Sequence, residues 1–353
     1  MTAPTSVLVI GCGLIGTSVG LALRGQDVDV HLRDVDPDHL AAAVALGAGN
    51  DHLIEAPELV VVAVPPSAVA DTVRAVLGEF PRAIVTDVAG VKRPVFAALD
   101  GAPGIERFVG GHPMAGTEGS GPRAGSALLF EGRSWVVVPS RDSRSDAVQR
   151  VAALAETVGA VPVFLDAEAH DDAVALVSHV PHLMSGLVAG LLNGAPRAHL
   201  ELAGPGLRDV TRIAGSGTDL WLDILGHNAA AVRAQLLTLR ETLDRVIGAL
   251  DDEVGVPQLA DVLDAGRAGT RRLPGKHGDV RAETVPVFVP VADRPGELSR
   301  LFADTGESGV NVEDLRIDHE LGRAVGLAEI AVLADRADTL VEALTARGWS
   351  AYR

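Results

Sequence analysis

The chain has a single cysteine, Cys12, among 353 residues, so it can form neither an internal disulfide nor a thiolate metal cluster. That usage suits a reducing compartment. Positive charge is also scarce: Lys and Arg total 30 against 47 Asp and Glu, a formal charge of -17. Such a surface repels a nucleic-acid backbone and an anionic membrane alike, so no nucleic-acid partner is expected. Lysine itself is nearly missing, with Lys92 and Lys276 alone, a bias that reads as genome base composition. Hydrophobic residues make up 47% of the chain, yet no unbroken apolar run approaches the ~18 residues that cross a bilayer. Residues 1–7 lack the charged and apolar regions of an export signal. The expectation is a soluble, cytoplasmic protein with no membrane partner, long enough for two or three domains.

From about residue 6 to 165, short apolar runs at 7–10, 28–32, 59–64, 83–88, 108–111, 135–138 and 161–164 alternate with helical patterns. That alternation predicts a mostly parallel sheet covered by helices on both faces. From 168 to about 268 the pattern turns helical, with apolar residues three and four apart over 173–191 and 231–250. The basic, glycine-rich stretch between 266 and 284 reads as a linker. Beyond it come strand 285–291, helix 296–307, strands 310–318 and 324–333, helix 337–347 and strand 349–352, the βαββαβ order of a ferredoxin-like unit. The predicted α/β architecture is a Rossmann-type dinucleotide-binding domain over 1–165, an all-helical domain over 166–270, a linker over 271–283 and a ferredoxin-like unit over 284–353.

Gly11-Cys12-Gly13-Leu14-Ile15-Gly16 follows the first strand directly and opens a helix. In that context Gly11 permits the tight turn, Gly13 lets backbone approach a pyrophosphate and Gly16 lets helix and strand pack closely, while the helix N-terminus offers free N–H groups. Leu14 and Ile15 pack beneath. Asp34, about twenty residues on, would accept bonds from the adenosine ribose and repel a 2′-phosphate, which favours NAD over NADP; the neighbouring Arg33 is the feature that would admit NADP. The turns Val64-Pro65-Pro66-Ser67 and 87–92 lie where open α/β sheets place ligands, although ordinary proline and glycine turns look the same.

Downstream, 110–121 places His112 and Glu118 in a glycine-rich loop after a strand, where a histidine can serve as base for an alcohol proton. His179 and His182 stand three apart on one helical face, but Pro181 lies between them and no third ligand is placed, so no metal site is expected. Asp209 and Arg212 sit one turn apart; the arginine suits a carboxylate substrate, and an i, i+3 ion pair is the plain alternative.

Taken together, the Gly11 to Gly16 turn, the His112 to Glu118 segment, Ser178-His179-Val180-Pro181-His182, and Asp209-Val210-Thr211-Arg212 with Trp221 beyond resemble the prephenate/arogenate dehydrogenases of tyrosine biosynthesis. The resemblance spans the chain. Its C-terminal unit, with Asp293-Arg294-Pro295-Gly296 and Asn311-Val312, is similar to an ACT domain, which implies an aromatic amino-acid effector such as tyrosine. The implied reaction is an NAD-dependent oxidative decarboxylation of prephenate in a homodimer. By the same resemblance, His112 bonds the C4 hydroxyl and Arg212 a substrate carboxylate. Ser178, His179, His182 and Asp209 line the pocket, Glu118 stands at its mouth and Trp221 packs nearby. One position departs from the family pattern: Gly90 replaces the usual serine, removing a hydroxyl beside the histidine. Thr117, Ser67 or a water would have to replace it, or the C4 group differs, as in 4-amino-4-deoxyprephenate. Arogenate is the other alternative substrate. A non-catalytic NAD and amino-acid sensor is the reading from a different class, against which the presence of both His112 and Arg212 argues.

Overall fold

The structure, a computed structural model, describes residues 3–117, 119–215, 217–251, 255–273, 284–319 and 325–353. Glu118 and residues 274–283 of the expected linker lie outside the described residues. Packing divides the chain into two compact units, one of 1–194 with 211–238 and one of 195–210 with 239–353, so the helical stretch is shared between them.

The first unit runs β1 (Ser6–Ile10), α1 (Leu14–Arg24), β2 (Asp29–Arg33), α2 (Pro37–Ala45), β3 (Leu59–Val62), α3 (Pro66–Glu79), β4 (Ile84–Asp87), α4 (Arg93–Ala98), β5 (Phe108–Pro113), β6 (Ser134–Val138), α5 (Ser145–Thr157) and β7 (Val161–Phe164). The sheet order is β2-β1-β3-β4-β5-β6-β7, parallel throughout except where β6 runs antiparallel to β5. β3 and β4 are buried along their whole length because helices cover both faces. Successive β1 residues feed opposite cores: Val7 and Val9 join one cluster with Trp135, Leu8 and Ile10 another with Phe108. Each such buried side chain contributes about 1.5–3 kcal/mol. The chain turns to opposite sides of β1 for β2 and β3, which opens the ligand crevice at the carboxyl end of β1.

One continuous helix follows, made of α6 (Ala167–Val174), a π-helical turn Ala175–His179 and α7 (Val180–Gly190). Pro181 explains the widened turn, since proline donates no N–H and crowds the carbonyl four residues back. Over Ala167–Gly194 this helix has an 18-residue window of mean hydropathy 1.5, enough by length and composition to cross a membrane. It also buries His170, Asp171 and His179 against protein, a polar set that lipid would penalise. After α8 (Arg197–Leu200) and α9 (Pro205–Thr211), α10 (Thr218–His227) and the first turns of α11 (Ala229–Asp251) return to this helix, where Ala231 and Val232 pack on Ala175 and Val180.

In the second unit, α12 (Val256–Thr270) precedes β8 (Thr284–Ala292), α13 (Glu297–Glu307), β9 (Asp314–His319), β10 (Val325–Leu333) and α14 (Ala337–Ala346). The strands form an antiparallel sheet ordered β8-β10-β9, and Val287, Val289, Ile330, Leu301 and Leu340 share its core. Three expectations need correction. The strand expected over 310–318 begins only at Asp314, because the Ser308 hydroxyl takes the Val310 N–H and the Asn311 amide bonds Glu313, so local bonds replace the ladder. The final strand reduces to a single bridge between Tyr352 and Phe288. His112 lies in a strand, not a loop, because β5 continues to Pro113 by pairing with β6, His112 opposite Val136.

Candidate active site

The turn after β1 is built for close approach. Gly11 has φ of +100°, and a Cβ there would meet the Ala63 carbonyl oxygen at 2.3 Å; a Cβ on Gly16 would meet the Gly11 carbonyl oxygen at 1.8 Å. Gly13 differs, since its Cβ would point into space with no protein atom within 4 Å. The first turn of α1 has no side-chain cap and no acidic residue, so its N–H groups face an open, electropositive cradle that fits a nucleotide pyrophosphate. Leu14 and Ile15 begin the helix, and Ile15 packs on the core. Asp34, just past β2, accepts the Cys12 N–H and the Asp36 N–H, which fixes its carboxylate beside the turn. Arg33 points elsewhere, its guanidinium bound at 2.9 Å to both oxygens of Glu79. Burial and the Asp34 carboxylate push the Cys12 thiol up to about 12, so it stays protonated. Val64 and Pro65 lead from β3 into α3.

At the carboxyl ends of β4 and β5 lies a buried polar network. His112 Nδ1 meets His170 Nε2 at 2.8 Å, and His170 Nδ1 meets Asp171 Oδ1 at 2.7 Å. Asp171 also accepts the Lys92 and Arg93 N–H groups at 2.8 and 2.9 Å. Burial would raise this carboxyl, but those bonds, led by His170, outweigh it and hold it below the ordinary range. An ionised Asp171 draws the His170 proton to Nδ1; His170 Nε2 then accepts from His112 Nδ1–H, and His112 Nε2 is left with a lone pair. Burial, then repulsion from His170, Lys92 and His179, holds His112 well below its usual range, so the ring is neutral at pH 7 and able to take a proton. Its Nε2 looks toward Gly90, where a Cβ would sit at an unstrained 3.6 Å. Thr117 Oγ1 is engaged with the Gly119 N–H. The Ser67 N–H goes to Asp223.

A second buried carboxylate frames this loop. Asp87 binds the Lys92 ammonium at 2.5 Å, the Ala89 N–H at 3.0 Å and the Gly111 N–H at 3.2 Å. Lys92 is fully buried, and desolvation lowers its ammonium despite the Asp87 partner.

The helical residues form a separate wall. His182 stacks on Trp221 with ring centroids 3.6 Å apart and planes 8° apart, and His179 meets the same indole edge-on at 6.1 Å. Asn228 ties His179 Nδ1 to the Asp171 carbonyl. Burial pushes the His179 ring down to about 4 and also lowers His182. Ser178 lies half-buried in the π turn. Arg212 is exposed and makes no ion pair among the described residues. Asp209 pairs instead with Arg316 of β9 at 3.0 Å. In the C-terminal unit, Asp293, Arg294 and Pro295 lead to Gly296, at φ +92°, which opens α13; Val312 packs on the core.

Sequence reading thus missed His170, Asp171, Lys92, Asp87 and Asn228 as site residues. The adjacent His170-Asp171 pair was the available signal, since two polar residues opening an apolar helix need buried partners.

A dinucleotide cradle at the carboxyl end of β1, with a neutral histidine in the last paired residues of β5, defines a dehydrogenase that acts on an alcohol or a similar C–H donor. Residues 19–164 match the nucleotide-binding domain of prephenate dehydrogenase and residues 166–264 its dimerization domain. The chain is 37% identical to a Streptomyces niveus protein named "Probable prephenate dehydrogenase NovF", over 98% of this chain and 99% of the relative. It is 25% identical to the Bacillus subtilis prephenate dehydrogenase over 96% of each. The Aquifex aeolicus prephenate dehydrogenase, solved with hydroxyphenyl propionate and NAD+, superposes with a TM-score of 0.66 at 28% identity, covering 76% of this chain and 99% of that one. The chain belongs to the prephenate dehydrogenase family.

Proposed function

We propose that the protein catalyses the NAD-dependent oxidative decarboxylation of prephenate to 4-hydroxyphenylpyruvate. The observation that carries this reading is the hydrogen-bonded chain His112–His170–Asp171, which leaves His112 Nε2 to accept a proton at the same carboxyl-end edge of the sheet as the nucleotide turn. Bound NAD supplies the hydride acceptor. Gly11, Cys12, Gly13 and Gly16 would hold its pyrophosphate, Asp34 its ribose, and Val64 and Pro65 would wall the cofactor. His112 takes the C4 hydroxyl proton as the C4 hydride departs and the C4 oxygen draws toward a carbonyl. Loss of the ring carboxylate as carbon dioxide makes the ring aromatic, and His112 returns the proton to the phenolate oxygen. Arg212 anchors a substrate carboxylate, with Ser178, His179, His182 and Trp221 of the same unit lining the pocket.

Gly90 supports a second reading. Without a hydroxyl, position 90 offers the C4 group no donor beside His112, and a C4 amine, which donates without needing a donor in return, suits such a site. Mixing the protein with NAD and prephenate, arogenate or 4-amino-4-deoxyprephenate and following reduced-nicotinamide absorbance tests all three. Turnover fastest with prephenate is expected. No reduction with any of them overturns the enzyme reading in favour of a sensor.

The exposed apolar residues Leu176, Val177, Leu187, Leu191, Leu222, Leu243 and Ile247 on the helices support a homodimer through the family's dimerization region. A cytoplasmic location goes with this soluble biosynthetic chemistry. The C-terminal unit we read as ferredoxin-like and ACT-like, supported by its order β8, α13, β9, β10, α14 and by the Tyr352 bridge outside β8. The turns at 293–296 and 311–312 would hold an amino-acid effector such as tyrosine. Truncation after residue 282 should leave turnover and abolish tyrosine inhibition; inhibition that survives would instead mean competition at Arg212.

A further inference from the structure

α10 has two working faces. On one, Trp221 lies against His182 and His179. On the other, Asp223, two residues and so more than half a turn away, reaches out of the helical region to α3, where its Oδ2 accepts the Ser67 N–H at 3.3 Å. The start of α3 needs such a partner. Pro65 and Pro66 carry no N–H, Ser67 offers the first free donor, and α3 has neither a side-chain cap of its own nor an acidic residue in its first turn. Asp223 is thus a cap supplied from 156 residues away. Its orientation is fixed within α10, since His227 Nδ1 lies 3.1 Å from Oδ1 and 2.8 Å from the Asp223 carbonyl oxygen. The carboxyl end of α10 is pinned in turn, because Asn228 donates to the Asp171 carbonyl beside the relay.

We propose that Asp223 is a positioning residue for hydride transfer: it locks the Val64–Ser67 turn, against which the nicotinamide half of the cofactor would lie, to the Trp221–His182 wall that faces the substrate. The inference rests on the function proposed above. Hydride transfer demands near-contact between donor and acceptor carbons, so an element bridging the cofactor turn and the substrate wall sets the rate of the chemical step more than the binding of either ligand.

The test uses the full chain with Asp223→Ala and Asp223→Asn. Four quantities are read: kcat at saturating NAD and prephenate, the isotope effect with C4-deuterated prephenate, the Kd for NAD from tryptophan fluorescence, and Tm. Asp223→Ala should lower kcat about 10- to 100-fold and raise the isotope effect while leaving Kd and Tm near wild type. Asp223→Asn keeps an acceptor oxygen and should recover kcat to within about fivefold of wild type, the remainder being the lost charge at the helix start. An unchanged kcat in Asp223→Ala overturns the proposal, as does a loss matched by a drop in Tm or NAD affinity. A wild-type protein that reduces no NAD with prephenate overturns the proposed function and this inference together. An active wild type with an indifferent Asp223→Ala overturns this inference alone.

Discussion

The nucleotide turn and the His112 relay lie at the same carboxyl-end edge of the sheet and are made in opposite ways. The turn is contiguous: the six residues from Gly11 to Gly16 follow β1 and run into the first turn of α1, with Gly11 and Gly16 fixed by backbone atoms a few residues or one strand away. The relay is assembled from distant chain, with His170 58 positions beyond His112 and Asp171 79 positions beyond Lys92. Phosphate recognition needs backbone N–H groups and clearance, which a short peptide can supply. Proton transfer needs a chosen tautomer, which takes a chain of buried partners. Damage to the turn should therefore act on binding, and damage to the relay on turnover.

The sharpest break in that contrast is His112→Asn. It should lower kcat by about 10²- to 10⁴-fold with little change in the KM for NAD. Asp171→Asn, which removes the charge that sets the His170 tautomer, should fall between wild type and His112→Asn. Arg212→Ala should instead raise the KM for prephenate, since a guanidinium stays protonated and so suits holding a carboxylate and not transferring protons. Small and equal effects on kcat and KM in all three variants would refute the division of labour.

The same contrast governs what the sequence could reveal. Strand, glycine turn and helix are local, so the turn and Asp34 are legible in the sequence. His112 was legible as a candidate base, but not its place in β5, because that depends on pairing with the antiparallel β6. Its partners were hidden because Asp87, Lys92 and Asp171 look like ordinary surface charges in sequence, and only folding removes them from water. Asp209 shows the limit in another way. Its spacing suggested Arg212, yet the partner is Arg316, more than a hundred residues away on β9. The π turn at Ala175–His179 likewise has no periodic signal, although Pro181 marks where it falls.

A middle-sized effect sharpens the nucleotide side. Asp34 is held beside the glycine turn by the Cys12 N–H, where on the proposed reading it would face the ribose, while Arg33 is held by Glu79. Asp34→Ala should improve NADP relative to NAD about five- to tenfold in kcat/KM, the scale of one removed like charge near the surface. Adding Glu79→Gln, which frees the guanidinium, should carry the preference further. An unchanged ratio in both variants would mean that Asp34 does not discriminate.

The smallest effect concerns stability in mild acid, and its sign follows from the buried histidines of the relay and of the helical wall. Burial pushes His179 down to about 4, against 6.5 for an ordinary histidine, and His112 is shifted the same way. Between those values the unfolded chain binds a proton that the native state refuses, so stability rises with pH across the window. The contribution is complete above about pH 6.5 and is lost as pH falls toward 4. For His179 alone it is worth at most about 3 kcal/mol. Most carboxylates titrate below about pH 5, so the stretch from 5 to 6.5 belongs largely to buried histidine. Urea unfolding at several pH values across that stretch should show wild type losing stability with acid, and His179→Gln, which keeps a polar group toward Asn228, with a shallower slope even if its stability at pH 7.5 is lower. Parallel slopes for the two proteins would mean that His179 takes up its proton in the folded state as readily as in the unfolded chain, and that burial does not hold it neutral.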